Sequence, residues 1–411
     1  MANNMTFEDI STVLNSIMSQ ATGKTDIVAT NTQQFVAQAD VTLKTGYDRV
    51  LGAISQVIDK TVYSQRPYRR KFASLYKNSQ EWGNHVRKLQ MVDSDFESDD
   101  RTPLTDGQAV DMYKINKGKV RQTNFYGGQT YQFSRTYFKD QLDQAFRSPD
   151  ELARFISMYT QNMSDVIEQA HENLARMCVS NYIASKYYWG LKTTTPDSSG
   201  VWTSANVGGT HEIKLLTMYN SETGLSLTST DLKKPENYAP FFRWAIAKIL
   251  TYSDMMTERS TMFNIRINKE GYPRHTPKEK QKLFLYSPEA RQIETNVEAT
   301  TFHNELLKLG AFERVNFWQS IKKPSRININ SIGLTLPNGN VITNPIYPSG
   351  RDYDNIFAVL FDTEAVGYTM INEWSSTTPF NSRGGYTNVF YHFTDRYWND
   401  LTEQGLVFTL N

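Results

Sequence analysis

From Leu152 to Tyr182 apolar residues recur at three- and four-residue steps, through Phe155, Ile156, Tyr159, Met163, Val166, Ile167, Ala170, Leu174, Met177 and Cys178. That spacing is one face of an α-helix. Ser148 stands where an N-cap belongs, Pro149 at the first helical position, and Asp150 and Glu151 beside the positive end of the helix dipole. No Gly or Pro follows until Gly190, so the pattern predicts a single long helix opening at Ser148. Roughly 38 residues at 1.5 Å each would reach about 57 Å, more than the width of most small domains. A single apolar stripe, with His171 and Glu172 on the polar remainder, predicts a spine lying on a sheet.

Before the helix, residues 84–138 form a long polar stretch whose halves carry opposite charge. Its acidic part, from Asp93 to Asp111, holds Asp93, Asp95, Glu97, Asp99, Asp100, Asp106 and Asp111 against one Arg101. The second half holds Lys114, Lys117, Lys119, Arg121 and Arg135, with no acid from Met112 to Arg135. This reads as an extended hairpin with one acidic and one basic arm. Two strands alone are marginal in water, so such an arm must lie against something else, and another copy of the same chain is the expected support. The candidate intersubunit contacts are Asp95, Glu97, Asp99 and Asp100 on the acidic arm, and Lys114, Lys117, Lys119 and Arg121 on the basic one. A second basic cluster, Arg66, Arg69 and Arg70, is added as a candidate partner for an acidic arm or a phosphate, with a solvated face as the simpler reading.

Elsewhere the patterns are shorter. Thr6 to Met18 and Tyr47 to Ile58 read as helices, separated by a polar arm rich in Thr, Gln and Asn. After Gly190 a Thr, Ser, Gly and Pro texture runs to about Asn237 and marks a domain boundary. Beyond it, helices are expected at Pro240–Glu258, Pro288–Val297 and Thr301–Leu309, and strands at Met262–Ile267, Leu283–Tyr286 and Val315–Gln319. Pro324 to Gly350, full of Asn, Pro and Gly, reads as a long loop. Strands return at Ile356–Phe361, Ala365–Trp374, Thr387–Arg396 and Leu406–Leu410.

Composition narrows the function. The 411 residues carry 44 Lys and Arg against 43 Asp and Glu, a net charge of +1, so no overall field draws the chain to nucleic acid or anionic membrane. Aromatic residues make up 13%, with 23 Tyr, which suits both cores and contact surfaces. The one cysteine, Cys178, sits at an apolar helix position and reads as a small core residue in a reducing compartment. Met1 to Ile10 hold no Lys or Arg but include Glu8 and Asp9, the wrong sign for an export signal. The longest strongly apolar run, Ile356 to Phe361, falls far short of the roughly 20 residues that span a bilayer.

Catalytic and ligand motifs fail one by one. Gly23, Lys24 and Thr25 resemble the end of a phosphate loop, but Met18 stands where its leading Gly belongs. His171 and Glu172 open like a zinc-protease motif, but Ala175 replaces the second His. Asp93, Asp95 and Glu97 mimic the start of a calcium loop, yet Ser98 replaces the turn Gly and Leu104 the closing Glu. No catalytic residue, metal ligand or cofactor site is assigned, and the chain is read as a structural protein and not an enzyme.

The order of parts resembles the major capsid protein of tailed double-stranded DNA bacteriophages, the Hong Kong 97 or Johnson fold, closest in style to small short-tailed phages. The resemblance is strongest where Ala365 to Trp374, a turn through Arg383, Gly384 and Gly385, and then Tyr386 to Trp398 and Gly405 to Leu410 look like the family's long paired strands and closing strand. It implies an α+β fold: residues 1–64 as N-terminal arm, 65–138 as basic segment and extended β-hairpin loop, and 139–192 as the peripheral domain with its spine helix on an antiparallel sheet. Residues 193–354 would be a mixed α/β axial domain, and 355–411 the return strands. It also implies self-assembly into hexamers and pentamers of an icosahedral head shell around a double-stranded DNA genome, built in the host cytoplasm. The implied partners are a separate scaffolding protein, a portal protein, packaged DNA held non-specifically at the inner wall, and head fibre or decoration proteins. Two other readings stand beside it: a non-viral encapsulating shell with the same fold, and an aromatic-rich hydrolase with a deep cleft.

Overall fold

The computed structural model describes residues 12, 14–19, 34–35, 39, 70–77, 86–92, 104–113, 115, 119–191, 211–264, 273–298, 312–329, 331–335, 341–345 and 351–411. The chain divides into two compact units, each assembled from three separate stretches of sequence. One takes Met1–Gly83, Gly128–Ala175 and Tyr368–Arg396; the other takes Asn84–Gly127, Arg176–Gly367 and Tyr397–Asn411.

The first unit is a helix on a sheet. Its sheet joins β3 (Gly128–Phe138), β12 (Val366–Thr377) and β13 (Tyr386–Asn399) in the order β12, β13, β3. Strand β13 alternates, with Val389, Tyr391 and Phe393 buried between less buried neighbours, as a half-covered antiparallel strand must. Its rings stack across the strand pair, Phe393 on Tyr131 and Tyr391 on Phe133, at centroid distances of 5.0 and 4.9 Å. The helix runs Pro149–Leu191 and starts as its cap predicts, the Glu151 amide donating to Ser148 Oγ at 3.3 Å. Phe155 meets Tyr137 edge to face at 5.8 Å, and Arg135 donates to Asn162 from the same strand.

From His171 onward the helix departs from the single-stripe expectation. His171, Glu172, Arg176, Ser180, Ser185 and Lys186 are all buried alongside the apolar stripe. The polar residues there tolerate burial because they have specific partners. Arg176 donates to the Phe317 carbonyl and lies over its ring, Ser180 reaches the Trp318 carbonyl, and the Lys186 amine donates to the carbonyls of Phe263 and Glu403 at 3.1 and 3.2 Å. Cys178 is buried with them, a small residue of the core.

The second unit is built on a five-stranded mixed sheet ordered β4 (Glu212–Lys214), β14 (Gly405–Thr409), β11 (Ile356–Asp362), β5 (Gln281–Tyr286) and β6 (Phe312–Val315). Every residue of β11 and β14 is buried, as continuous apolar runs at the centre of a covered sheet should be. Helices Leu215–Thr223, Pro235–Met255 and Ser287–Glu298 supply the cover, with Phe242 packed on Phe357 and Tyr252 on Phe408.

Four local expectations are corrected here. The helix expected from Pro240 begins at Pro235, which takes the N1 position, and Pro240 falls inside it. Of the strand expected at Met262–Ile267, residues 262–264 form bends, with an isolated bridge from Ser260 to Arg274 beside them, and 265–267 lie outside the described residues. The strand expected at Val315–Gln319 is Phe312–Val315, after which the chain turns so that buried Trp318 donates its indole N–H to the Ile356 carbonyl. The long loop is also structured: β7 (Ile327–Ile329) pairs with β10 (Arg351–Tyr353), and β8 (Ser331–Thr335) with β9 (Val341–Pro345). Asn338 and Gly339, read as loop chemistry, are equally the signature of a hairpin between alternating apolar residues. The helices expected at Tyr47–Ile58 and Thr301–Leu309 lie outside the described residues, and of Thr6–Met18 only 12 and 14–18 are described, as helix. Among the described residues no helix is long and apolar enough to cross a membrane, and no cluster of His, Cys, Asp or Glu could hold a metal ion.

Candidate functional site

The hairpin belongs to the second unit. Strand β1 (Val86–Val92) pairs antiparallel with β2 (Lys119–Phe125), from Val86 opposite Phe125 to Val92 opposite Lys119. The basic arm therefore ends its hairpin pairing at Phe125; beyond Gly127 the chain enters the three-stranded sheet of the other unit. Glycine is required at Gly127, because a Cβ there would lie 2.7 Å from the Tyr397 backbone carbonyl, whereas one on Gly128 would displace the end of the Arg396 side chain.

Residues 104–113 and 115 are exposed throughout. The chain reverses at Thr105–Gln108, where Gly107 adopts φ +86° and the Gln108 amide donates to the Thr105 carbonyl. Asp111 then accepts the Tyr113 amide at 2.9 Å. This local bonding displays Met112, Tyr113 and Ile115 at 80%, 79% and 79% exposure. Large apolar side chains so open to water, close together in the sequence, are candidates for an interaction surface.

The hairpin root is fastened by charge. Lys88 Nζ lies 2.6 Å from Glu403 Oε1, 3.0 Å from Asp400 Oδ2 and 3.4 Å from Glu364 Oε2. Gln90 donates to Glu403 at 2.8 Å and accepts from Arg274. Burial opposes the Lys88 charge, but the carboxylates of Asp400 and Glu403 outweigh it and raise its pKa above the ordinary lysine range. Burial likewise pushes Asp400 up, and Lys88 with the Thr402 hydrogen bonds brings it below the ordinary carboxylate value.

Of the charged candidates read from the sequence, Asp95, Glu97, Asp99, Asp100, Lys114, Lys117, Arg66 and Arg69 lie outside the described residues. Lys119 and Arg121 stand on β2, opposite Val92 and Gln90. Arg70 is buried within its own unit. It donates to His171 Nδ1 at 2.6 Å, lies 3.6 Å from Glu168, and stacks over Tyr76 at 4.7 Å, while His171 Nε2 reaches Asp395 at 3.1 Å. With Arg70 donating to Nδ1, the other ring nitrogen, Nε2, is left to donate its hydrogen bond to Asp395. Sequence reasoning did not single out Met112, Tyr113 and Ile115, although an apolar cluster inside a polar stretch was a readable signal. Nothing in the sequence distinguishes Lys88 from other exposed-strand lysines.

No curated protein sequence matches the chain. Among solved structures, it is similar to a chain of the capsid of Staphylococcus phage Andhra, at 10% identity and a TM-score of 0.46, covering 83% of this chain and 84% of the other. A chain from the structure of the head fiber and inner core protein of native bacteriophage P68 gives 10% identity and 0.48, with 83% and 85% covered. One from the capsid of Cyanophage P-SCSP1u gives 13% and 0.44, with 84% and 90% covered. The element order itself, a hairpin followed by a long helix on a sheet, a mixed helix and strand region and returning strands, is the one the Hong Kong 97 resemblance implies. Residues 4–409, nearly the whole chain, match the family model of the Phi29-like phage major capsid protein, and the chain belongs to that family.

Proposed function

We propose that this head shell protein closes its shell through hexamers and pentamers in which the Val86–Phe125 hairpin of one copy lies on the next. The observation that carries this is the exposed apolar end of the hairpin, Met112, Tyr113 and Ile115, on an element without a core of its own. Residues 1–64 are then the arm, 65–138 the basic segment and hairpin, and 139–192 with 355–411 the peripheral domain. Residues 193–354 are the axial domain around the capsomer centre. A shell of many copies is favoured by numerous reversible contacts, because a misplaced subunit can still leave. Assembly in the host cytoplasm, a separate scaffolding protein, a portal and head fibre or decoration proteins complete the reading. A net charge of +1 suits a wall that faces packed double-stranded DNA without gripping it through counterion release.

Electron microscopy of the purified chain, supplied with its scaffolding protein, should show capsomers or closed shells; a stable monomer at high concentration overturns the proposal. Met112→Ser, Tyr113→Ser and Ile115→Ser together should abolish assembly and leave the melting temperature of the subunit unchanged, since these side chains are exposed within it. Each such side chain buried on a neighbour contributes about 1.5 to 3 kcal/mol, so losing three removes far more than one exposed ion pair does. Replacing Lys114, Lys117 and Lys119 together by Glu tests the charged arm separately, and normal particles from that variant remove it from the interface.

A further inference from the structure

Among the described residues, polar side chains of β1 join the hairpin to its own body, and the place that receives them is built stiffly. On β1 the exposure alternates, Arg87 and Leu89 facing water while Val86, Lys88 and Gln90 are partly covered. Lys88 and Gln90 meet the turn Asp400–Gln404 between β13 and β14. That turn is tied on several sides: the Asp400 amide donates to the Ala365 carbonyl, the Asp362 amide to Gln404, the Gly405 amide to Phe263, and Lys186 of the long helix holds the Glu403 carbonyl. Lys88 and Gln90, adjacent on one strand face, thus plug a coreless two-stranded element into a rigid socket.

We propose that the Lys88 clasp with Glu403 and Asp400 is a releasable catch that fixes the direction in which the hairpin leaves the subunit. This rests on the reading of the hairpin as the element that lies on a neighbouring copy, and adds how its reach is set before the neighbour arrives. An apolar root would need core surface to be exposed for the hairpin to swing. A charged one exchanges its partners for water or for other charges, and Glu364, half-exposed at the rim beside Lys280, gives water access to the amine. Because the socket residues are tied by backbone bonds that do not involve Lys88, opening the catch frees the hairpin and leaves the five-stranded sheet intact.

The test is hydrogen exchange on the unassembled subunit at low concentration. Lys88→Met, which keeps the length of the side chain and loses its charge, should accelerate amide exchange in Val86–Val92 and Lys119–Phe125 by about tenfold or more, with β11 and β14 unchanged. Glu403→Gln, which keeps the shape of the acceptor, should loosen the same two strands. Unchanged exchange in the hairpin of either variant overturns the catch, as does equal acceleration in β11 and β14, which would mean general destabilisation. Both measurements are made before any shell forms, so a wild-type chain that never assembles would sink the proposed function and leave this result standing. Where the wild type assembles, particles of both variants should show a broader distribution of diameters by electron microscopy; a distribution identical to wild type overturns the role in setting reach.

Discussion

Ile167→Pro is expected to send the subunit to the insoluble fraction. Residue 167 lies well inside Pro149–Leu191, where proline removes one backbone hydrogen bond and drives its ring into the preceding turn, at a cost of about 3 kcal/mol or more. The neighbours make the damage larger. Ser164, Glu168 and His171, one turn to either side, are buried, and His171 is held between Arg70 and Asp395, so a kink here displaces a buried polar chain as well as the apolar stripe. Against a total stability of roughly 5 to 15 kcal/mol, the sum leaves little folded protein. Ile167→Ala is the control and should remain soluble, since the site is only half-buried. Soluble Ile167→Pro protein with unchanged helix content by circular dichroism would mean that the helix is not continuous through this point.

The second large effect is an alkaline gain in stability that disappears in Lys186→Met. The Lys186 amine is fully buried, and burial pulls its pKa down from 10.5 to about 7 even though Asp400 and Glu403 work to raise it. Between those values the unfolded chain binds a proton that the folded chain does not. Stability therefore rises with pH across this window, by about 1.4 kcal/mol per unit at most, and the whole penalty for burying the amine is in place below pH 7. Methionine removes the titration and fills the space. Of the two carbonyls that lose the amine, Phe263 keeps the Gly405 amide as a partner. Denaturant titrations from pH 7 to 10 should give a rising midpoint for the wild type and a flat one for Lys186→Met; parallel curves for the two proteins would show that the amine is solvated and charged throughout.

The long helix and the returning strands were readable because local rules and tertiary packing agree on them. Ser148 caps where its side chain predicts, and Ile356–Asp362 is an apolar run of strand length that ends in the centre of a sheet. The errors fall where one local rule was outweighed. His171 and Lys186 look like solvent-facing helix positions, and only partners far away in sequence, Asp395 and the carbonyl of Glu403, make their burial tolerable. Pro240 looked like a helix start because proline favours the first turn, yet Pro235 occupies that place five residues earlier. In Pro324–Gly350 the turn formers were legible and the short strands between them were not. The candidate site was half legible: the sequence shows that a charged, coreless hairpin exists, but the socket for Lys88 is assembled from residues more than three hundred positions later.

The position of β14 in the five-stranded sheet has a consequence for biosynthesis. Residues 405–409 fill the gap between β4, near residue 213, and β11, so the sheet has a missing middle until residue 409 has been translated and has left the ribosome. Both compact units also draw on residues beyond 367. A nascent chain can form its long helix early, but it has no completed surface to offer a neighbour. Late closure of this kind keeps half-made subunits from joining a growing lattice, and it leaves the edge of β11 that faces away from β5 open until β14 arrives, which makes that interval the time of greatest aggregation risk.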